Sequence, residues 1–139
     1  FTTEFGDCFH CHGVYPFMTD NDFHDNGLQD APNLSDYADQ GLGGFNGVTS
    51  DVGKMKAPPL RNLSYTAPYM HDGRFNTLDE VIDFYSEGLH VTPNIDPLMK
   101  QALQGGLQLS VQEKAALKAF LLTLDDPTFI NNEDYRRPF

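Results

Sequence analysis

The chain has 139 residues, 40% of them hydrophobic and 11 of them phenylalanine, which suits one domain with a modest core. A net charge of −11, from 20 acidic and 9 basic side chains, argues against nucleic acid or an anionic membrane surface as partner. It leaves a basic protein partner, or simply a well-solvated surface. No stretch approaches the roughly 20 apolar residues of a membrane span. No signal peptide is visible at Phe1, so the chain reads as a mature product or a piece of something longer.

A first helix is expected over residues 3–12. It contains Cys8-Phe9-His10-Cys11-His12, and both cysteines of the chain fall inside that pentapeptide. The pattern C-x-x-C-H is the attachment signature of c-type heme. Residues three apart share a helical face, so both thiols can reach the two vinyl groups of one porphyrin. His12 then offers an imidazole to the iron from the proximal side. A Cys8–Cys11 disulfide of the thioredoxin kind would need a βαβ context that is not found. A structural zinc site would need a second ligand pair, which is also not found. His10 is expected to face solvent.

Residues 13–56 are rich in Gly, Asp, Asn and Pro and predict mostly loop with one or two short turns. Within them the run from Asp20 to Gly27 faintly resembles a calcium loop, but Asn33 stands where the closing glutamate belongs. A loop wrapping the heme is the better expectation. Residues 57–76 predict a short helical turn followed by irregular backbone suited to a pocket wall. Thr77 with Glu80 forms a capping box. Leu78, Val81, Ile82 and Tyr85 then make one apolar face, and Gly88 supplies the stop. A weaker helix is expected within 94–104. Ser110 with Glu113 opens a last helix to about Leu124, striped by Leu117, Phe120, Leu121 and Leu124 and ended by Pro127. The expected fold is all-α and cytochrome c-like. N- and C-terminal helices pack around one covalent heme, with long irregular loops. Residues 1–124 would form the heme domain and 125–139 a polar C-terminal extension.

The segments Gly53-Lys54-Met55-Lys56-Ala57-Pro58-Pro59-Leu60-Arg61-Asn62-Leu63 and Thr66-Ala67-Pro68-Tyr69-Met70-His71-Asp72-Gly73 go further. With the helix from Thr77 and the Leu-Ser-x-x-Glu-Lys start of the last helix, the chain resembles the C-terminal heme domain of the bacterial diheme cytochrome c peroxidase and MauG family. That resemblance covers nearly the whole chain. It implies heme c, a periplasmic or otherwise exported protein, and a redox partner or second heme domain. In the family the other domain carries the peroxide-reactive heme. This chain has a single C-x-x-C-H and no Trp, so one-electron transfer is expected of it alone. Its alternative role is the electron-entry half of a diheme peroxidase or MauG-like oxidase.

By the same resemblance the sixth iron ligand falls at Tyr85, where the peroxidases carry Met and MauG carries Tyr. A tyrosine on an apolar face can equally be core, its hydroxyl finding a partner. Met70 is the next candidate, and His71 follows with a structural hydrogen bond as its expected role. Arg61 matches the arginine that pairs with a heme propionate, with Arg74 a weaker candidate. The carbonyls of Thr66 and Pro68 match an interdomain calcium site whose side-chain ligand lies on the absent domain. Met18, Met55 and Met99 are expected to fill core, and His24 and His90 to be solvated.

Overall fold

The computed structural model describes residues 1–3, 5–13 and 18–136. Residue 4 of the expected first helix, 14–17 of the long loop and 137–139 of the extension lie outside them. Five helices and a small ladder organise the described residues: α1 (Phe9–His12), β1 (Phe23–His24), α2 (Gly41–Asn46), β2 (Met55–Lys56), α3 (Leu78–Glu87), α4 (Val111–Leu122) and α5 (Pro127–Ile130). Single 3₁₀ turns join them. None of the described helices is long and apolar enough to cross a membrane.

The two capped helices form as their local sequence dictates. Thr77 accepts the N–H of Glu80 while the Glu80 carboxylate returns to the N–H of Thr77, and Ser110 with Glu113 repeats the device. Each box satisfies amide donors that no helical carbonyl can reach. Gly88 closes α3 by giving its N–H to Phe84 C=O at 2.8 Å. α3 and α4 then lie against each other, tied at the rim by Lys114 to Asp83 (2.7 Å) and Glu87 (2.5 Å), and by Lys118 to Asp79 (2.6 Å). Of the α4 stripe, Leu121 is buried and Leu117, Phe120 and Leu124 are half-covered. The Phe1 ring lies 4.7 Å from that of Phe120, so the N-terminal segment does reach the last helix.

Elsewhere the structure departs from the sequence expectations. The first helix is only α1, because Asp7 at φ 51° turns the chain out of the right-handed region just before it. β1 pairs antiparallel with β2, Phe23 opposite Lys56 and His24 opposite Met55, so the fold is mostly helical rather than purely so. Two-residue strands carry no readable alternation. No α-helix forms within 94–104. The Asp96 side chain takes the N–H of Leu98 (2.8 Å) and its carbonyl that of Met99 (2.8 Å), making a turn that ends in a 3₁₀ segment, Ala102–Gln104. Pro127 does not merely stop α4. It occupies the first turn of α5, capped by Asp126, whose carboxylate takes the N–H groups of Thr128 and Phe129.

A buried polar knot fixes the loops. Asp25 is 2% exposed and accepts from Tyr37 Oη (2.5 Å), Thr92 Oγ1 (2.7 Å) and Gly27 N (3.0 Å). Gly53, at φ 84°, is required because the Tyr37 ring packs directly over its Cα.

Candidate heme site

Cys8 stands at the N-cap of α1 and Cys11 lies inside it, so one helical turn presents both sulfurs. They are free thiols, half-buried, and the Cys8 thiol donates to Gly6 C=O at 3.1 Å. Burial pushes both up from the ordinary thiol value. Cys11 reaches about 12, helped by the carboxylates of Asp20, Asp96 and Asp7. Cys11, Asp20 and His24 bring ligand atoms within 4.8 Å of one another. A thiol held protonated and an imidazole bound at both nitrogens make this a poor cation cage.

His12 is presented by the last position of α1. Its Nδ1 lies 3.2 Å from the Met18 carbonyl, which fixes Nδ1 as the N–H donor and leaves Nε2 its lone pair. Burial lowers its proton affinity, overcoming the carbonyls of Met18 and Pro58, so the ring is neutral. A neutral imidazole with its second nitrogen tied to a backbone carbonyl is the form a metal-ligating histidine takes. The segment supplying that carbonyl is itself anchored. Asp20 gives its N–H to Cys11 C=O (2.9 Å) and Thr19 its hydroxyl to Ala57 C=O (2.7 Å).

Tyr85 projects from the last turn of α3. Its hydroxyl accepts a hydrogen bond from Asn26 Nδ2 at 3.1 Å. Burial pushes the phenol up, Asn26 pulls it back, and the sulfurs of Cys8 and Cys11 push it further. The phenol therefore lies within electrostatic reach of both sulfurs. The backbone that carries it is clamped from outside, since Leu107 and Gln108 give their N–H groups to the carbonyls of Tyr85 (3.0 Å) and Ser86 (2.8 Å). Gly106 permits this approach, because a side chain there would strike the Ser86 backbone. Around Tyr85 lies an apolar cluster of Leu28, Phe84, Leu89 and Ala102, with Met70, Phe75, Ile95 and Met99 packed on it. Met70 reaches this cluster from a left-handed backbone position, φ 69°. Paired thiols, a neutral imidazole with a free nitrogen, a phenol and an apolar lining fit a heme.

The remaining expectations divide. Arg61 is half-exposed and faces Asp126 at 3.6 Å, an ion pair rather than a hydrogen bond. Arg74 is a fold tie, donating to Asp72 (2.8 Å) and to Leu28 C=O (2.9 Å). His71 lies 3.8 Å from Asp39. Thr66 and Pro68 are exposed. In the run Asp20 to Gly27, the carboxyl groups serve as caps and partners within the protein. Met99 fills core, Met18 and Met55 are half-covered, and His90 is exposed. Two histidine expectations are corrected. His10 is half-buried with Nδ1 2.5 Å from Asp7, because the turn at Asp7 folds that carboxylate back on α1. His24 is bracketed by Asp20 and Asp96. Asn26 and Asp20 carried only the faint calcium-loop resemblance, and Asp96 only its place in an expected helix; none pointed to these roles.

Mostly helical architecture with a C-x-x-C-H turn defines a cytochrome c-like domain. The comparisons narrow the class. The chain is 34% identical to the cytochrome-c peroxidase IdrP2 of Pseudomonas sp. (strain SCT) over 149 residues, covering 90% of this chain and 38% of that protein. It is 37% identical to the methylamine utilization protein MauG of Methylorubrum extorquens over 126 residues, covering 89% and 32%. The crystal structure of a MauG-like protein associated with microbial copper homeostasis superposes with a TM-score of 0.83 at 35% identity, over 98% of this chain and 47% of that one. No family model matches. The chain belongs to the diheme cytochrome c peroxidase and MauG family, whose members are heme proteins, and spans less than half the length of these relatives.

Proposed function

We propose that this chain is a c-type cytochrome domain that passes single electrons through one heme held covalently by Cys8 and Cys11. The observation that carries the reading is the pair of thiols on one helical turn, followed directly by a neutral His12 oriented by the Met18 carbonyl. When bound there, heme supplies a one-electron Fe(III)/Fe(II) couple. His12 would hold the iron through Nε2, while the Met18 carbonyl holds its tautomer. Tyr85 would supply a second iron ligand, with Met70 the alternative. As a phenolate, Tyr85 would favour the ferric state. Asn26 holds the phenol oxygen in place. Leu28, Phe84 and Leu89 exclude water, which keeps competing ligands out. Arg61, half-exposed and only loosely paired, is the propionate partner in this reading.

Residues 1–124 would then constitute the heme domain, with 125–139 an extension, in an exported, periplasmic protein. A redox protein or second heme domain, its contact surface basic, would meet the acidic chain. A second reading has its own observation in the coverage of less than half of each relative. In it, this domain is the electron-entry half of a diheme peroxidase or MauG-like oxidase.

Visible and EPR spectra of the heme-loaded protein, with and without carbon monoxide, test the first reading. A low-spin heme indifferent to carbon monoxide is expected. A high-spin heme that binds carbon monoxide readily would overturn the closed electron-transfer site. Peroxide turnover that appears only when a second heme domain is added would decide for the second reading.

A further inference from the structure

The His24 ring is gripped by two carboxyl groups at once. Nδ1 lies 2.6 Å from Asp96 Oδ2, and Nε2 lies 2.8 Å from Asp20 Oδ2. A neutral imidazole has one N–H and one acceptor nitrogen, so it can satisfy only one carboxylate; the imidazolium donates to both. All three side chains are largely shielded, at 15% exposure for His24, 22% for Asp20 and 16% for Asp96. Each carboxyl group is anchored in turn. Asp20 bonds through its backbone to Cys11 C=O (2.9 Å), and Asp96 to the carbonyl of Asp25 (2.9 Å).

This cluster adjoins the cofactor motif. Ligand atoms of Cys11, Asp20 and His24 lie within 4.8 Å of one another. The charge of His24 is felt at His12, whose protonation it opposes. Cys11 of α1 is a close neighbour, His12 follows it in the chain, and Asp22 and Asp25 flank the ring on its own segment. Lys56 stands next to its β2 partner and spends its ammonium on Asn21 Oδ1 at 2.9 Å. The two carboxylates therefore dominate the local charge. Burial works against the charged ring, but the hydrogen bonds it donates to Asp96 and Asp20 outweigh it and raise its proton affinity above the ordinary histidine value.

We propose that His24 is a proton-binding site coupled to the redox state of the heme iron, taking up a proton as the iron takes up an electron. The inference rests on the heme reading above. In balance, ferric heme and neutral His24 plus one electron and one proton give ferrous heme and the His24 imidazolium. The electron comes from a one-electron donor protein and the proton from solvent. The ferric centre carries one more positive charge than the ferrous and repels the imidazolium more, so reduction tightens proton binding. At a neighbouring but non-ligating position the effect is of order three- to tenfold. Paired to Asp20 and Asp96, His24 would compensate part of each electron's charge beside Cys11.

The test is the reduction potential of the heme-loaded protein from about pH 5 to 10, for wild type and His24→Gln. A companion NMR titration of the His24 ring is made in the ferric and dithionite-reduced protein. The wild-type potential is expected to fall as pH rises through the His24 titration. His24→Gln should lose that slope and sit near the wild-type alkaline value. The ring should bind its proton several-fold more tightly in the ferrous protein. An unchanged slope in His24→Gln, or equal proton affinity in both oxidation states, overturns the coupling. If His24→Gln does not retain heme, the wild-type titration pair decides alone. Protein whose intact mass shows no attached heme would fail the underlying reading, whereas attached heme with a pH-independent potential fails the coupling only.

Discussion

The α3–α4 pair and the loop knot around Asp25 are built on opposite principles. In the pair, each helix start is written in four consecutive residues, Thr77 to Glu80 and Ser110 to Glu113, and the two helices meet through apolar stripes and a rim of lysine pairs. In the knot, Asp25, Tyr37, Thr92 and Gly53 come from distant parts of the chain and contribute nothing singly. The site needs both. α3 carries Tyr85, while the knot's segment carries Asn26, which holds the Tyr85 hydroxyl, and His24 beside Cys11. Locally coded helices supply the proposed ligands, and non-locally assembled loops set what surrounds them.

The change that joins the two regions should have the largest effect. Tyr85→Phe removes the phenol and leaves Asn26 without its acceptor. The heme-loaded variant is expected to show a changed ferric spectrum, a higher potential and new carbon monoxide binding. A spectrum identical to wild type would hand the ligand role to Met70. Next comes Asp25→Ala, which strands the hydroxyls of Tyr37 and Thr92 and the Gly27 N–H in the interior. A loss of about 3 kcal/mol is expected in denaturant unfolding. Thr77→Ala removes one cap from the helical pair and should cost about 1 kcal/mol, with the heme spectrum unchanged. If the cap costs more than the knot, the contrast drawn between the regions is wrong.

The smallest effect is pH-dependent. His24 has a raised folded proton affinity, so its stabilisation is fully present below about pH 6.5, the unfolded value. It is lost as pH rises through the folded value. Comparing unfolding free energies of wild type and His24→Gln across pH by denaturant titration should show a gap on the order of 1 kcal/mol or less at acid pH that closes on the alkaline side.

This contrast also explains what could be read from the sequence. The capping boxes and the C-x-x-C-H turn are short-range codes, and they placed α3, α4, both sulfurs, His12 and the covered face of Tyr85. The two-residue β1–β2 ladder has no period to detect. α2 is spelled Gly-Leu-Gly-Gly-Phe-Asn, against its own helix propensity. The expected helix within 94–104 failed because Asp96 spends its groups on a turn and on His24. His24 itself looked solvated, since its two carboxylates lie 4 residues before it and 72 after it. Asn26 likewise meets Tyr85 across 59 residues. Such pairs exist only once the chain has closed.

The central claim is that Cys8 and Cys11 hold one heme covalently, and intact-mass spectrometry under denaturing conditions tests it most directly. The protein matured in a host that attaches c-type heme should carry the mass of the polypeptide plus one heme, and the Cys8→Ala/Cys11→Ala variant the polypeptide alone. A wild-type mass equal to that of the bare polypeptide would contradict the account.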